Sequence, residues 1–315
     1  MITTGTVNLT ILFSTRNRGH MLPTVLEGYQ KLNTVNISWE LLIVDNGSED
    51  DSLIHLQKAC VALPLRIIKE SKPGKNRALN TGLTQASGSL IILTDDDIIP
   101  DRNFLQEWAK YLNDNLDYDF FGGTINIVHE APLPVWMLQN RFFMQMMFAE
   151  RTLMEGPIHW SDIYGGNMAI RRTIVEADFR FDPDIGPNDR DRFYPMGSES
   201  DLCFRLDKHG YQSWFAQGPI ANHIVRPEQL NPEHWPVRAY RRGRGRARLR
   251  WKMGTLKPSR RRPLRNRMGR AVTFLLKRIS PWPIHNFEAI CHSDYVRGFK
   301  NECLRLGVMP YHPDD

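Results

Sequence analysis

Short apolar runs alternate with amphipathic stretches over the first hundred residues of the chain. Runs rich in Val, Ile and Leu predict strands at residues 7–14, 40–44, 65–68 and 89–94. The stretches between them have helical spacing and predict helices at 23–32, 52–62 and 75–84, with Ser48 and Asp50 as candidate caps of the second helix. This order predicts an α/β fold with a mainly parallel central sheet flanked by helices.

Polar clusters follow three of these predicted strands. They are Arg16-Asn17-Arg18, Asp45-Asn46-Gly47-Ser48 and Asp95-Asp96-Asp97. Ligands gather where parallel strands end, so the clusters mark a candidate site. Three adjacent carboxylates repel one another unless water or a cation offsets the repulsion, and Mg²⁺ or Mn²⁺ often bridges carboxylates to a diphosphate. Two of these clusters have a second interpretation: the triplet could be a solvated acidic turn, and the Asp45 cluster could be a turn without a binding role.

The pattern is less regular beyond residue 100. It predicts a helix at 103–115, a strand containing Gly122-Gly123, a turn at Gly165-Gly166-Asn167, a polar loop at 182–197, and helices at 200–209 and near 285–306. Four cysteines are too few and too widely spaced for a disulfide framework or a zinc motif. We therefore expect them to be packing residues. They are Cys60, Cys203, Cys291 and Cys303.

The net charge of +6 over 315 residues hides a sharp division. Residues 238–278 contain 17 Lys and Arg and no acid, so the rest of the chain carries −11. We therefore expect a first domain at 1–237 and a basic, helical extension at 238–315, with different partners. Apolar residues at helical spacing from Met268 to Ile279 fit a helix on an anionic membrane surface, or equally a helix packed on the first domain.

Composition and motifs narrow the class of protein. With 41% hydrophobic and 24% charged residues, the chain has ordinary globular usage, and its apolar runs are far below the roughly 20 residues needed to span a bilayer. The N-terminus lacks the pattern of a secretory signal, so we expect a cytoplasmic protein, peripheral at the inner face of the membrane if the basic tract binds lipid. The Arg-rich run at 241–246 is typical of RNA-binding segments, but no RNP, KH or zinc-finger motif accompanies it, which disfavours a nucleic-acid partner.

Six blocks, in order along the chain, carry a resemblance to a known family. They are Ser14-Thr15-Arg16-Asn17-Arg18, Val44-Asp45-Asn46-Gly47-Ser48, residues 74–82 (GKNRALNTG), Leu93-Thr94-Asp95-Asp96-Asp97, residues 165–172 (GGNMAIRR) and residues 197–206 (GSESDLCFRL). Over about residues 8–245 the chain resembles family 2 glycosyltransferases of the GT-A fold. The resemblance implies metal-dependent transfer of a hexosyl group from a nucleotide-diphosphate donor, UDP-sugar favoured, to an acceptor hydroxyl. Inversion, and a saccharide or lipid-linked acceptor in polysaccharide or glycolipid synthesis, are also implied.

The resemblance further implies roles for individual residues. Thr15 and Arg16 contact the nucleotide, Asp45 recognises the base, and Arg77 with Asn80 lies near the base and diphosphate. Asp95 and Asp97 form the DxD pair, with Asp97 on Mn²⁺ or Mg²⁺, and His223 resembles a third metal ligand. The donor-binding set is Thr15, Arg16, Arg18, Asp45, Lys75, Arg77, Asn80, Asp95, Asp96, Gly166, Asn167 and Arg244.

The block at 197–206 is expected to supply the catalytic base. Related enzymes carry Glu-Asp at the start of this helix, whereas this chain has Ser198 followed by Glu199. Glu199 is therefore the candidate base and Asp201 the alternative, although acids are also favoured in any first helical turn. Trp160, Asp162 and the Met- and aromatic-rich stretch at 136–148 are candidates to line the acceptor site, with core packing as the other interpretation.

Two other functions stay open at this level. A nucleic-acid-binding protein would use the Arg-rich tract, but it would gain nothing from Asp95-Asp96-Asp97 and an acidic body. A sugar nucleotidyltransferase would need a Gly-rich basic loop after the first strand, and that segment supplies one glycine, Gly19.

Overall fold

The structure is a computed structural model that describes residues 8–112, 117–133, 148–231, 233–257 and 287–309. The chain divides into two compact units. The first unit comprises Met1–Arg190 and Ser198–Pro227, and the second comprises Asp191–Gly197 and Glu228–Asp315. The boundary expected after residue 237 lies within a helix of the second unit, and the assignment of separate functional domains stays a prediction.

The first half of the sheet follows the hydrophobic pattern closely. Strands β1 (Leu9–Thr15), β2 (Trp39–Asp45), β3 (Leu65–Lys69) and β4 (Leu90–Thr94) are all parallel, in the order β3-β2-β1-β4. Helices α1 (Leu22–Gln30), α2 (Ser52–Ala59) and α3 (Lys75–Gln85) connect them. The register pairs Thr15 with Asp45 and Asp45 with Lys69, so the carboxyl ends of β1 to β3 lie level.

The second half of the sheet is mixed. It contains β5 (Ile98–Pro100), β6 (Phe120–His129), β7 (Gly156–Pro157), β8 (Asn167–Arg171) and β9 (Ser213–Val225). The order continues β4-β8-β6-β9-β5, with β7 on β9. Strand β8 runs antiparallel to both β4 and β6. Helices α4 (Phe104–Ala109), α5 (Arg172–Glu176) and α6 (Ser198–Lys208) complete the first unit.

Burial on both faces explains why the early strands are continuous apolar runs. Every residue of β1 and β4 is buried, and aromatic side chains from the covering helices fill the space against the sheet. Tyr29 of α1 stacks on Phe13, and Trp108 of α4 packs edge-on against Phe121. Each such fully buried large side chain stabilises the fold by roughly 1.5–3 kcal/mol.

The second unit contains two long helices, α7 (His234–Lys252) and α8 (Phe287–Arg305), which pack closely on each other. Glycines permit this approach. A Cβ at Gly243 would lie 1.9 Å from the Tyr295 carbonyl oxygen, and one at Gly298 would lie 2.0 Å from that of Tyr240. The predicted last helix is therefore present, whereas the apolar stripe at 268–279 lies outside the described residues.

Two further expectations can be compared with the structure. Three of the four cysteines are buried, but Cys60 is exposed, so the prediction that it is a packing residue is wrong. It lies just past the end of α2, where the chain leaves the core. Over the described parts of the chain, no helix is long and apolar enough to cross a bilayer.

Candidate active site

The loops after β1 and β2 are tied together by hydrogen bonds to backbone amides. The Asn17 amide donates to Ser48 Oγ (3.0 Å), that of Arg18 to Ser52 Oγ (2.8 Å), and that of Gly19 to Asp50 Oδ2 (2.9 Å). Asn17 takes a left-handed conformation (φ 53°), which Asn tolerates better than most residues. These bonds fix the backbone on which Arg16 and Arg18 are carried.

The acid triplet follows β4, and each of its carboxylates faces a different basic side chain. Lys75 Nζ forms a short ion pair with Asp95 Oδ1. Asp96 Oδ2 accepts a hydrogen bond from Thr15 Oγ1 (2.9 Å) and lies 3.3 Å from Arg18 Nε. Asp97 Oδ2 lies 3.6 Å from His223 Nε2. The repulsion expected within the triplet is thus offset by three basic partners from distant parts of the chain.

The same contacts perturb the proton affinities of these groups. Burial raises the pKa of Asp96 to about 6, because the attraction of Arg18 only partly opposes it and Asp97 and Asp95 add to it. Burial also acts to raise the pKa of Asp97, but His223 and Arg18 outweigh it and hold that pKa well below its usual range. The pKa of Lys75 is raised despite its burial, since Asp95 stabilises the charged ammonium. Asp97 and Lys75 therefore stay charged at neutral pH.

His223 reaches Asp97 because β9 pairs with β5, which follows the triplet directly. His223 pairs with Ile98, and the Ile224 amide donates to the Asp97 carbonyl (2.9 Å). His223 Nδ1 donates a hydrogen bond to the Phe148 carbonyl oxygen (2.7 Å), and Nε2 is directed at Asp97. A carboxylate oxygen and an imidazole nitrogen so oriented form a donor pair that suits Mn²⁺. Over the described residues, no group of three or more His, Cys, Asp or Glu could hold a metal ion.

Lys75 is positioned by a loop that sequence analysis left unassigned. Asn46 Nδ2 donates to the carbonyls of Glu70 and Lys72 (both 2.9 Å), and its Oδ1 accepts from the Gly74 amide (2.8 Å). Gly74 has φ 137°, a conformation that residues with a side chain rarely adopt, and α3 begins at the next residue. Asn46 therefore acts as a positioning residue. Its place directly after a buried strand was the available signal.

Glu199 and Asp201 both lie in the first turn of α6, but their environments differ. Glu199 is half-buried, its Oε2 would lie 3.7 Å from a Cβ at Gly165, and its charge contributes to raising the pKa of Lys75. The side chain of Asp201 is 2% exposed and pairs with Arg205 at 3.0 Å. Glu199 thus lies near the acid triplet, whereas Asp201 is enclosed in an ion pair within the helix.

The other predicted donor-binding residues of the first unit lie around these groups or support them. Asp45 is buried, and its Oδ1 accepts from the Ser48 amide (3.2 Å). Arg16 Nη1 pairs with Asp189 Oδ2 at 2.5 Å, and Arg77 is half-buried in the first turn of α3. Asn80 exchanges two hydrogen bonds with the backbone of Phe181 (2.8 and 2.9 Å).

Gly166 and Asn167 support the fold beside the triplet. The Gly166 carbonyl accepts a hydrogen bond from Thr94 Oγ1 (2.9 Å). Asn167 is fully buried, and its Nδ2 donates to the carbonyls of Thr124 and Pro219. Asn167 begins β8, so the predicted turn is also the start of a strand.

The remaining candidates that the structure describes are buried or form ion pairs. Arg244 belongs to the second unit, is 3% exposed, and contacts Glu302, Asp191 and the Phe193 carbonyl; its role in donor binding stays a prediction. Trp160 is buried against Phe204, and Asp162 pairs with Arg151. Most of the aromatic stretch at 136–148 lies outside the described residues.

Known proteins share this fold. Mannosyltransferase PcManGT from Pyrobaculum calidifontis, in complex with GDP-Man and Mn²⁺, matches with a TM-score of 0.57 and 18% identity over 96% of this chain and 75% of its own. S. aureus TarS (1–349) in complex with UDP matches with a TM-score of 0.52 and 13% identity, over 92% and 80% of the two chains. GalNAc-T7 with UDP, GalNAc and Mn²⁺ matches with a TM-score of 0.54 and 13% identity, over 80% and 55%. These similarities place the chain among proteins of the GT-A fold.

Sequence comparison is more specific. Glycosyltransferase AglE of Haloferax volcanii is 25% identical over 194 residues, which are 60% of this chain and 58% of AglE, so the chain spans less than two thirds of that relative. The family model for glycosyl transferase family 2 matches residues 10–179, more than half of the chain. The match begins in β1 and includes the acid triplet, β8 and α5. It favours a glycosyltransferase over the nucleotidyltransferase and the nucleic-acid-binding protein. The chain therefore belongs to glycosyl transferase family 2 and has the GT-A fold.

Proposed function

We propose that this enzyme transfers a sugar from a nucleotide-diphosphate donor, with UDP-sugar favoured, to the hydroxyl of a saccharide or lipid-linked acceptor, in the presence of Mn²⁺ or Mg²⁺. The observation that carries this proposal is the acid triplet after β4, whose members face Lys75, Arg18 and His223. Carboxylates and cations alternate there within hydrogen-bond or ion-pair distance. A site with both signs of charge suits a ligand that brings its own cation together with a diphosphate.

Asp97 and His223 are the residues that would hold the cation. Both are largely buried, and Nδ1 of His223 is already satisfied by the Phe148 carbonyl. Two protein ligands are enough where substrate phosphates supply further oxygens, as is usual for Mg²⁺ bound with nucleotides. When bound, the cation would offset the negative charge that develops on the departing nucleoside diphosphate.

The remaining groups suit donor binding and proton transfer. Arg18 and Lys75 supply positive charge beside the diphosphate, and buried Asp45 offers a carboxylate at the end of β2 for the base. Glu199 takes the proton of the acceptor hydroxyl as its oxygen forms a bond to the anomeric carbon. The bond from that carbon to the diphosphate oxygen breaks, and the nucleoside diphosphate leaves with the bonding electrons. A single displacement of this kind inverts the anomeric centre.

The structural neighbours support the donor class. PcManGT is described with GDP-Man and Mn²⁺, TarS with UDP, and GalNAc-T7 with UDP and Mn²⁺. A nucleoside diphosphate or its sugar conjugate occurs in each of them, whereas the base differs. We therefore infer a nucleotide-sugar donor here and assign recognition of uracil to Asp45. The acceptor belongs to polysaccharide or glycolipid synthesis.

A thermal-shift screen tests the proposal. UDP-, GDP-, CDP- and dTDP-sugars are each added with and without Mn²⁺, and UDP-sugars with Mn²⁺ are expected to give the largest stabilisation, because ligands that bind only the folded state raise its stability. Asp97→Asn is expected to abolish the part of the shift that depends on Mn²⁺. Asp207→Asn, an exposed acid of α6, is the matched control and is expected to behave as the wild type. An unchanged Mn²⁺-dependent shift in folded Asp97→Asn would overturn the assignment.

A further inference from the structure

Helices α7 and α8 of the second unit bury the acids whose side chains are described and expose several bases. Glu302 of α8 is 0% exposed and accepts hydrogen bonds from Arg244 Nε (2.6 Å) and Arg248 Nε (2.8 Å). Asp294 is 5% exposed and pairs with Arg297. Among the described side chains of α7 and α8, every exposed charge is basic: Arg246, Arg297, Lys300 and Arg305. The excess of positive charge in the sequence therefore also appears on the surface of these two helices.

Apolar side chains are exposed at the end of α7. Trp251 is 47% exposed and Met253 39%. The Met309 amide donates a hydrogen bond to the Lys257 carbonyl (2.8 Å), which brings the 38%-exposed Met309 to the segment that follows the helix. We call these four residues the α7-end patch: Trp251, Met253, Lys257 and Met309. The backbone that carries the patch is held in place, because the neighbouring residues Leu256 and Val308 are buried together in one small core.

We propose that the α7-end patch docks on an anionic lipid membrane. Trp at a polar–apolar boundary, flanked by Lys and Arg, is the composition that favours the headgroup region of a bilayer. The chain that follows Lys257 adds eight Lys and Arg and no acid over residues 258–278, so more positive charge is attached at this end of α7. A polyanion such as RNA would also attract this charge and find one stacking ring in Trp251, but the two exposed methionines, Met253 and Met309, offer no ring for stacking on bases.

Docking at a membrane would place the enzyme beside a lipid-linked acceptor, and in that respect the inference rests on the proposed function. Vesicle binding without any donor or acceptor measures the docking separately. Failure of the docking proposal and failure of the proposed function can therefore be told apart.

The test is co-sedimentation of the full chain with vesicles of phosphatidylcholine alone or with about 30% phosphatidylglycerol. Binding is expected only to the anionic vesicles, and it is expected to be lost between 0.1 M and 1 M salt, where the Debye length falls from about 10 Å to about 3 Å. The double variant Trp251→Ala/Met253→Ser should bind roughly tenfold more weakly. Lys257→Gln should bind roughly fivefold more weakly, the effect of one cation near the surface.

Met154→Ser is the matched control, because Met154 is 86% exposed on the first unit and its loss should leave vesicle binding unchanged. Thermal unfolding of each variant shows that it is folded. Equal binding to neutral and anionic vesicles, or no binding at 0.1 M salt, would overturn the proposal. So would full binding by the variants, or displacement of the protein from anionic vesicles by single-stranded RNA at equal phosphate concentration.

Discussion

Glu199→Gln and Asp201→Asn form a pair of changes that separates catalysis from stability. Each replaces a carboxylate by an amide of the same shape within one turn of α6. Glu199 is half-buried beside Gly165, whereas the Asp201 side chain is 2% exposed and paired with Arg205. We expect Glu199→Gln to lower kcat and leave stability unchanged. We expect Asp201→Asn to lower stability and leave kcat unchanged.

The expected magnitudes follow from these environments. Removal of a general base costs roughly 100-fold or more in rate, which corresponds to about 2.7 kcal/mol in the activation free energy. Asp201→Asn weakens a charge-assisted hydrogen bond at a buried site, which is worth roughly 2 kcal/mol of unfolding free energy. Arg205 keeps its bond to the Arg180 carbonyl (2.6 Å), so the loss is not larger. For a chain of this size the unfolding temperature should fall by roughly 3 °C.

Two measurements suffice. Release of the nucleoside diphosphate is followed at saturating donor, using the donor that gives the largest thermal shift, and the unfolding temperature is followed by circular dichroism. If Glu199→Gln keeps kcat within about twofold of wild type, Glu199 is not the base. If Asp201→Asn instead lowers kcat and unfolds at the wild-type temperature, the roles are exchanged.

Two further predictions concern buried charges outside the catalytic groups. Arg244→Met should lower the unfolding free energy, measured in urea, by about 3 kcal/mol, because it leaves buried Glu302 with fewer partners. The control Arg246→Met, at an exposed position of the same helix, should change that free energy by less than about 0.5 kcal/mol. Equal effects of the two substitutions would contradict the ion pair between Arg244 and Glu302. Burial acts to raise the pKa of Glu40, but hydrogen bonds from Arg66, Ser87 and Thr10 lower it below 4.5, so its stabilisation is full above about pH 4.5 and declines as the pH falls further. Glu40→Gln should therefore lower the unfolding temperature at pH 7, and the unfolding temperature of this variant should fall less steeply than that of the wild type below about pH 4.5. An equally steep fall in the two proteins would refute that reasoning.

The parts of the fold that the sequence predicted are those with local signals. Strands β1, β2 and β4 are almost entirely buried and β3 carries a short apolar run, and the bounds of all four differ from prediction by two residues at most. Strand β9 gave no such signal. It contains Gly218 and Pro219, residues that normally argue against a strand, and its pairing with β6 jumps from Ala216 to Ile220 between Gly123 and Thr124. The proline lies within this irregularity, where it interrupts no ladder hydrogen bond. The irregularity is visible only from the pairing with the neighbouring strand.

The site shows the same limit. The acid triplet was visible because its members are adjacent, and its position after a buried strand indicated a site. The partner of each acid was not predictable from spacing, because Lys75, Arg18 and His223 lie 20, 78 and 126 residues from Asp95, Asp96 and Asp97. Strand order brings them together: β5 returns beside β9, and the loop after β1 lies next to the end of β4. The distinction between Glu199 and Asp201 likewise needed the burial of each side chain.

The basic tract is the clearest case in which burial changes the meaning of a sequence pattern. Seventeen cations without an acid suggested a partner different from that of the first domain, but Arg244 and Arg248 bind Glu302, more than fifty residues away, and are part of the packing between α7 and α8. Arg246, between them in the sequence, is exposed. A helix places residues two apart on different sides, so a single Arg-rich run serves both a buried ion pair and a charged surface. Removing the charge of Arg244 should therefore lower the unfolding free energy, whereas removing the charge of Arg246 should lower only the positive charge of the surface, which is why the two substitutions form a matched pair in the urea assay.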